Sequence, residues 1–329
     1  MHARETTRSH LPALTRRVGR VAASRASRHL GRPCAGIRLA HLTLAMMPLV
    51  GCAPTAAAPT ESPAHRAHPQ AVGSTSEPTF REVELAGRPV PSKLWVYLPS
   101  RPVDPLPMVF VAPAGSAMFH GMRLADGDRD EHLPYARAGF GVVAYEVDGA
   151  LGENASDEEV IAAVRAFQRA RAGVENANRA IEYALANIPN VDRRRLFVAG
   201  HSSAAAVALL TAAHNPQVRA CVAFAPATAP LAHLPPAVVT ALSDVIPDFA
   251  QFMTWSAASS HVDKLTMPLF LFHARDDSKV PFAEAAAFAR TIKEKNPQIA
   301  FVAVPEGDHY DSMIQQGIPR AIEWLKGVR

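Results

Sequence analysis

Near-continuous apolar runs recur near residues 108 to 112, 141 to 146, 195 to 199, 219 to 224 and 268 to 273, with helical patterns filling the gaps between them. A strand that is apolar along its whole length leaves no face for water, so it belongs in a parallel sheet covered on both sides. Two earlier segments, near 80 to 86 and 92 to 99, alternate in the manner of an antiparallel edge, and a last run lies near 299 to 305. Eight strands with helices on both faces are therefore expected.

The helical signals agree. Ser156-Asp157-Glu158-Glu159 is a capping box that opens a periodic stretch through Val160, Ala163, Val164 and Phe167. A second stretch runs from Val174 to Ile188, and Glu284 to Ile292 and Ile318 to Leu325 complete the set. Residues 226–262 break the alternation with a proline-studded apolar segment that includes Pro235, Pro236, Ile246, Phe249, Phe252, Met253 and Trp255. An insertion of this length is expected to act as a lid whose apolar side chains line a pocket; the alternative is a small helical satellite in which they bury one another.

Chemistry is expected at Gly200-His201-Ser202-Ser203-Ala204, between the strand Leu196 to Ala199 and a small-residue helix from Ala205 to Ala213. An abrupt strand-to-helix turn lifts its central hydroxyl clear and sets free helix N–H groups beside it. Ser202 is the candidate nucleophile, and the competing reading is an ordinary helix cap at Ser202 or Ser203. Two further strand ends carry acid and base: Asp276-Asp277 follows Leu269 to Phe272, and Gly307-Asp308-His309 follows Phe301 to Val304.

A serine hydroxyl needs a neutral imidazole to take its proton and a carboxylate to orient that imidazole. His309 is therefore the candidate general acid and base. His120, His132, His201, His214, His233, His261 and His273 are rivals, but only His309 stands in a short turn after the last strand. Adjacent residues at a strand end face opposite ways, so only one of Asp276 and Asp277 can serve. Asp277 is preferred because it stands three residues before Val280-Pro281. The oxyanion donors are expected to be the backbone N–H groups of Ser203 and Ala114, with Gly115 as second choice; Pro113 has no N–H to offer.

The order Ser, Asp, His, each past a strand end, resembles the α/β-hydrolase superfamily over residues 79–329, nearest to its dienelactone-hydrolase and prolyl-oligopeptidase-like branches. Asn190-Val191-Asp192-Arg193-Arg194-Arg195 and Ser260-His261-Val262-Asp263-Lys264-Leu265, leading to Met267-Pro268, carry that resemblance. Ala204 departs from it where glycine is usual, and Ala112-Pro113 where His-Gly is usual. The resemblance implies an α/β-hydrolase fold with a mostly parallel eight-stranded sheet, a small lid over 226–262, and a serine hydrolase that cleaves carboxylic esters or short peptides without cofactor or metal. No segment reads as the propeller that gates peptide entry in many such peptidases, and no acidic pair suits a free amino terminus, which favours esters. An inactive hydrolase fold used as a binding module is the alternative from a different class.

The first 51 residues read separately. A short apolar stretch from Leu39 to Val50 ends in Leu49-Val50-Gly51-Cys52, a lipobox pattern preceded by arginines, too short for a membrane span and suited to a signal-peptide core. Cys52 is thus the expected lipidated first residue of an exported lipoprotein of a bacterial cell envelope. Residues 52–78 read as a flexible tether and 79–329 as one α/β domain. Removing the nine arginines and one acid of residues 1–51 from 34 basic and 30 acidic side chains leaves 25 against 29. The body is mildly acidic, so the basic charge of the whole chain gives no reason to expect a nucleic-acid partner.

Overall fold

The computed structural model describes residues 77–86 and 92–328. The leader, Cys52 and residues 52–76 of the expected tether lie outside the described residues. The described strands are β1 (Thr79–Leu85), β2 (Ser92–Leu98), β3 (Leu106–Val111), β4 (Gly141–Tyr145), β5 (Val191–His201), β6 (Ala220–Phe224), β7 (Leu269–Ala274) and β8 (Ile299–Val304). They form one sheet in the order β1-β2-β4-β3-β5-β6-β7-β8. β1 pairs antiparallel with β2 and β2 with β4, while every later pairing is parallel. This is the α/β architecture expected from the apolar runs.

The helices are α1 (Arg129–Arg137), α2 (Asp157–Arg169), α3 (Val174–Asn187), α4 (Ser203–His214), α5 (Pro236–Val245), α6 (Phe249–Trp255), α7 (Phe282–Lys293) and α8 (Ile318–Gly327). Strand residues alternate between two cores. Met108, Phe110, Leu196 and Val198 pack against α2, α3, α4 and α7, whereas Val109, Val111, Phe197 and Ala199 pack against α1 and α8. The central strands β3, β4, β6 and β7 are therefore dry on both faces, as their composition demands. At the start of α2, Ser156 Oγ accepts from Glu159 N–H (3.3 Å) and Glu159 Oε2 accepts from Ser156 N–H (2.7 Å), which is the capping box read in the sequence.

Helix α1 escapes sequence periodicity because Pro134 sits inside it and its mean composition is polar. β5 also begins earlier than its apolar core suggests. Val191 pairs with Leu106 while Arg193 and Arg194 face solvent, so the first half of this strand is held by pairing rather than burial.

Between β6 and β7, α5 and α6 bury Val238, Leu242, Ile246, Phe249 and Met253 against one another and against Phe119 and Val164. Val238, Leu242, Ile246, Phe249 and Met253 of this insertion thus share a satellite core. The insertion is latched to α7 through Glu284. Its Oε1 accepts from Thr228 N–H (2.6 Å), Ala229 N–H (3.1 Å) and Thr228 Oγ–H (3.0 Å), and its Oε2 lies 2.8 Å from His233 Nε2.

Burial alone would raise the Glu284 carboxylate, but hydrogen bonding and charge from His233, together with the Thr228 donors, pull it below its ordinary value. The same hydrogen bond lifts His233 above its ordinary value against the opposing effect of burial. The His233 contribution to stability is present in full below its ordinary value of 6.5 and is lost as pH climbs through the raised value. The Glu284 contribution is present above its ordinary value of 4.5 and is lost as pH falls through the lowered one. Glu284→Gln is expected to destabilise the fold by about 1–3 kcal/mol. Thermal melts should show the largest difference from wild type between pH 4.5 and 6.5 and a smaller one at alkaline pH.

Candidate active site

β5 ends at His201 and α4 begins at Ser203, so Ser202 must make the whole turn. Its backbone takes φ 55° and ψ −119°, a left-handed region that costs a non-glycine residue about 1–3 kcal/mol. Its N–H donates to the Phe224 carbonyl at 2.9 Å, which ties the turn to β6. The sharp reversal brings the Ala204 carbonyl over Gly200, where any Cβ would meet that oxygen at 2.3 Å. Glycine is obligatory there for that reason. Ala204, which stands where glycine is usual, is fully buried.

At the ends of β7 and β8 the acidic and histidine loops interlock. His309 Nδ1 donates to Asp277 Oδ2 at 2.8 Å. The neighbouring Asp276 instead accepts from the backbone N–H groups of Gly307 (3.1 Å) and Asp308 (2.9 Å). Asp308 answers by accepting from Ser278 N–H (2.7 Å) and Ser278 Oγ–H (3.1 Å). Of the two adjacent carboxylates, Asp277 is the one that meets the imidazole, and Asp276 fixes the loop that carries it.

Two histidines set aside as rivals support this pair. His273 is fully buried, with Nε2 3.1 Å from Asp277 Oδ2 and 3.0 Å from the Val280 carbonyl. Both neighbours accept, so Nε2 carries the proton. His201 donates from Nε2 to the His309 carbonyl (3.1 Å), holds its ring 4.4 Å from the His309 ring at a tilt of 42° and sets Nδ1 3.8 Å from Glu131. It braces the His309 turn from the position just before Ser202. No hydrogen bond joins Ser202 Oγ to His309 among the described contacts; the two residues stand at the ends of β5 and β8, linked through His201.

Burial would raise Asp277, but hydrogen bonds from His273 and His309, the charge of His309 and the Val280 N–H outweigh it and hold the carboxylate far below its ordinary range. The His309 imidazole moves down, chiefly through burial, with the Asp277 bond opposing and nearby His201 assisting. An anionic Asp277 behind a neutral His309 near pH 7 is the charge state a general base requires.

The loop after β3 completes the rim. Ser203 Oγ, buried at the first position of α4, accepts from both Gly115 N–H and Ser116 N–H at 3.1 Å. Gly115, the second-choice oxyanion donor, is thereby engaged. The N–H groups of Ala114 and Ser203 have no backbone or side-chain acceptor among the described residues. The sequence offers the Ser203 hydroxyl only as a helix cap; in the structure it holds the loop after β3 instead. Ser203→Ala strands two loop donors and is expected to destabilise the protein by about 1–3 kcal/mol in denaturant titrations.

This architecture has relatives among solved structures. A Pyrococcus horikoshii acylaminoacyl peptidase is similar at TM-score 0.61 and 15% identity, over 76% of this chain and 42% of that one. Porphyromonas gingivalis dipeptidyl peptidase 4 is similar at 0.58 and 15%, over 77% and 36%. A Pyrococcus furiosus esterase is similar at 0.50 and 18%, over 76% and 91%. The chain spans only about two fifths of the acylaminoacyl peptidases, so the likeness is one of fold. No curated protein matches the sequence. The model of the prolyl oligopeptidase family matches residues 134–327, more than half of the chain and a span that holds Ser202, Asp277 and His309; the protein belongs to that family.

Proposed function

We propose that the protein is a serine hydrolase that cleaves a carboxylic ester through an acyl-enzyme. Ser202 Oγ attacks the carbonyl carbon while its proton passes to His309 Nε2, and the resulting oxyanion accepts from Ser203 N–H and Ala114 N–H. Collapse breaks the C–O bond, and His309 returns the proton to the departing alkoxide. Water then repeats the sequence on the acyl-enzyme, releasing acid and restoring Ser202. Asp277 keeps the His309 proton on Nδ1 and stabilises the imidazolium that forms.

The observation that carries this is the 2.8 Å Asp277–His309 contact, tied by the His201–His309 hydrogen bond to a serine held at φ 55° in a strand-to-helix turn. Membership of the prolyl oligopeptidase family favours a second reading, in which the same residues cleave a peptide or amide bond. A fluorophosphonate probe is expected to label Ser202; a folded sample that resists labelling would support a binding module instead. A panel of esters and aminoacyl amides separates the two hydrolytic readings by relative kcat/KM. The lipobox at Cys52 supports a lipid-anchored, exported enzyme.

A further inference from the structure

We propose that His201 is a positioning residue for the reaction, which through its hydrogen bond to the His309 carbonyl sets where the His309 ring stands relative to Ser202. This rests on Ser202 being the nucleophile and His309 its base. His201 takes no proton and touches no reacting atom in that chemistry, yet its imidazole is buried at 3% exposure, beside Glu131 at 8%. Burying two ionisable side chains strips both of water, and apolar residues of similar bulk are often as stable in such a place. The contacts of His201 point to alignment instead.

The serine side of the site is fixed by backbone. His201 is paired with Phe224 at the end of β5, and Ser202 N–H donates to the Phe224 carbonyl, so neither residue can shift without disturbing the β5–β6 ladder. The imidazole side is a loop, and it is held at three points. Asp276 accepts from the N–H groups of Gly307 and Asp308, ahead of the ring, and Asp277 holds the ring itself at Nδ1. A ring gripped at one nitrogen can still pivot about that contact, and the opposite edge, Nε2, swings farthest. The carbonyl that follows the ring supplies the remaining constraint, because His201 Nε2–H holds it at 3.1 Å. A donor rooted in the residue before the nucleophile thereby fixes the base.

The His201 ring is itself confined. It lies 4.4 Å from the His309 ring on one side and 5.9 Å from the Tyr310 ring, while Glu131 Oε1, brought in by α1, stands 3.8 Å from Nδ1. These are the ionisable groups that face it from α1 and from the turn after β8; His309 in turn faces His201, Asp277 and His273. Burial is the main cause of the lowered His309 pKa, and charge at His201 adds to the lowering against the Asp277 hydrogen bond. His201 thus acts on both the place and the basicity of the imidazole.

The test compares His201→Phe, which keeps a ring but has no donor, with His201→Gln, whose amide N–H can reach the same carbonyl while the ring is lost. Each is assayed on p-nitrophenyl butyrate, with kcat expressed per Ser202 labelled to completion by a fluorophosphonate, and each is checked by thermal melt. His201→Phe is expected to lower kcat about a hundredfold with KM within about twofold, the scale of an ångström of misalignment, and His201→Gln to recover about tenfold of that loss. Both variants lose the His201 charge, so in each the acid limb of kcat/KM should move up toward the ordinary histidine value of 6.5. A purely structural role would lower the melting temperature and leave both readouts alone. Unchanged kcat and limb in His201→Phe, or equal losses in the two variants, overturn the positioning role, while labelling keeps Ser202 as nucleophile. If His201→Phe fails to fold, His201→Gln carries the test, and a limb that stays at the wild-type midpoint overturns the proposal. Absence of Ser202 labelling in wild type overturns the nucleophile and the role of His201 together.

Discussion

Ser202→Ala is expected to abolish turnover of short p-nitrophenyl esters, with a loss of about 10⁶ in kcat, the scale seen when one member of a hydroxyl–imidazole–carboxylate unit is removed. The change deletes one oxygen from a residue whose side chain makes no hydrogen bond within the described structure, so stability should stay within about 0.5 kcal/mol of wild type. Activity and unfolding must be measured on the same preparation, because the argument depends on their separation. Ser203 cannot readily take over. Its oxygen already accepts two loop N–H groups and sits on the first turn of α4, on the side away from the strand ends that carry His309. Turnover that survives in Ser202→Ala would assign the chemistry to a different nucleophile.

The second large effect concerns the two adjacent acids. Asp277→Asn is expected to lower kcat about 10⁴-fold, because an amide cannot hold the imidazole in the required tautomer. The local hydrogen bonds make the damage unavoidable. Asp277 Oδ2 faces the His309 and His273 ring nitrogens, and Oδ1 accepts from Lys279 N–H (2.8 Å) and Val280 N–H (2.9 Å). All of these neighbours donate, so an asparagine NH₂ opposes donors in either orientation.

Asp276→Asn loses one of two backbone contacts to the Gly307–Asp308 turn and should cost about tenfold or less. The pH profile gives an independent readout. Because His309 is lowered from 6.5, the acid limb of wild-type kcat/KM should have its midpoint below that value. Asp277 opposes that lowering, so its loss should move the limb further toward acid. A larger loss at Asp276 than at Asp277 would exchange their roles.

The sheet was readable because strands buried on both faces leave a compositional mark: β3, β4, β6 and β7 lie at the apolar runs, the second half of β5 lies at its run, and β1 and β2 lie at the alternating segments. What escaped had no such mark. Helix α1 carries Pro134 and few apolar residues, and the first half of β5 runs through exposed arginines. At the candidate site, Ser202, Asp277 and His309 could be named because each follows a strand end. The supporting residues could not. Nothing in the one-dimensional pattern separates a buried His273 on Asp277 from an ordinary core histidine, or shows that Ser203 holds a loop 87 residues away. The packing of the insertion after β6 was unreadable for the same reason: apolar composition predicts burial, and Phe249 and Met253 are buried, but composition does not say against what.

The interlock between the β7 and β8 loops limits how this enzyme can diversify. Surface loops usually absorb insertions and deletions freely. Here three consecutive residues on one side, Asp276, Asp277 and Ser278, engage three consecutive residues on the other, Gly307, Asp308 and His309, so the pairing works like the teeth of a zip. Lengthening either loop by one residue within that tract would displace every contact at once. New specificities in such a lineage are therefore expected to arise outside these two short turns, whose length is held constant.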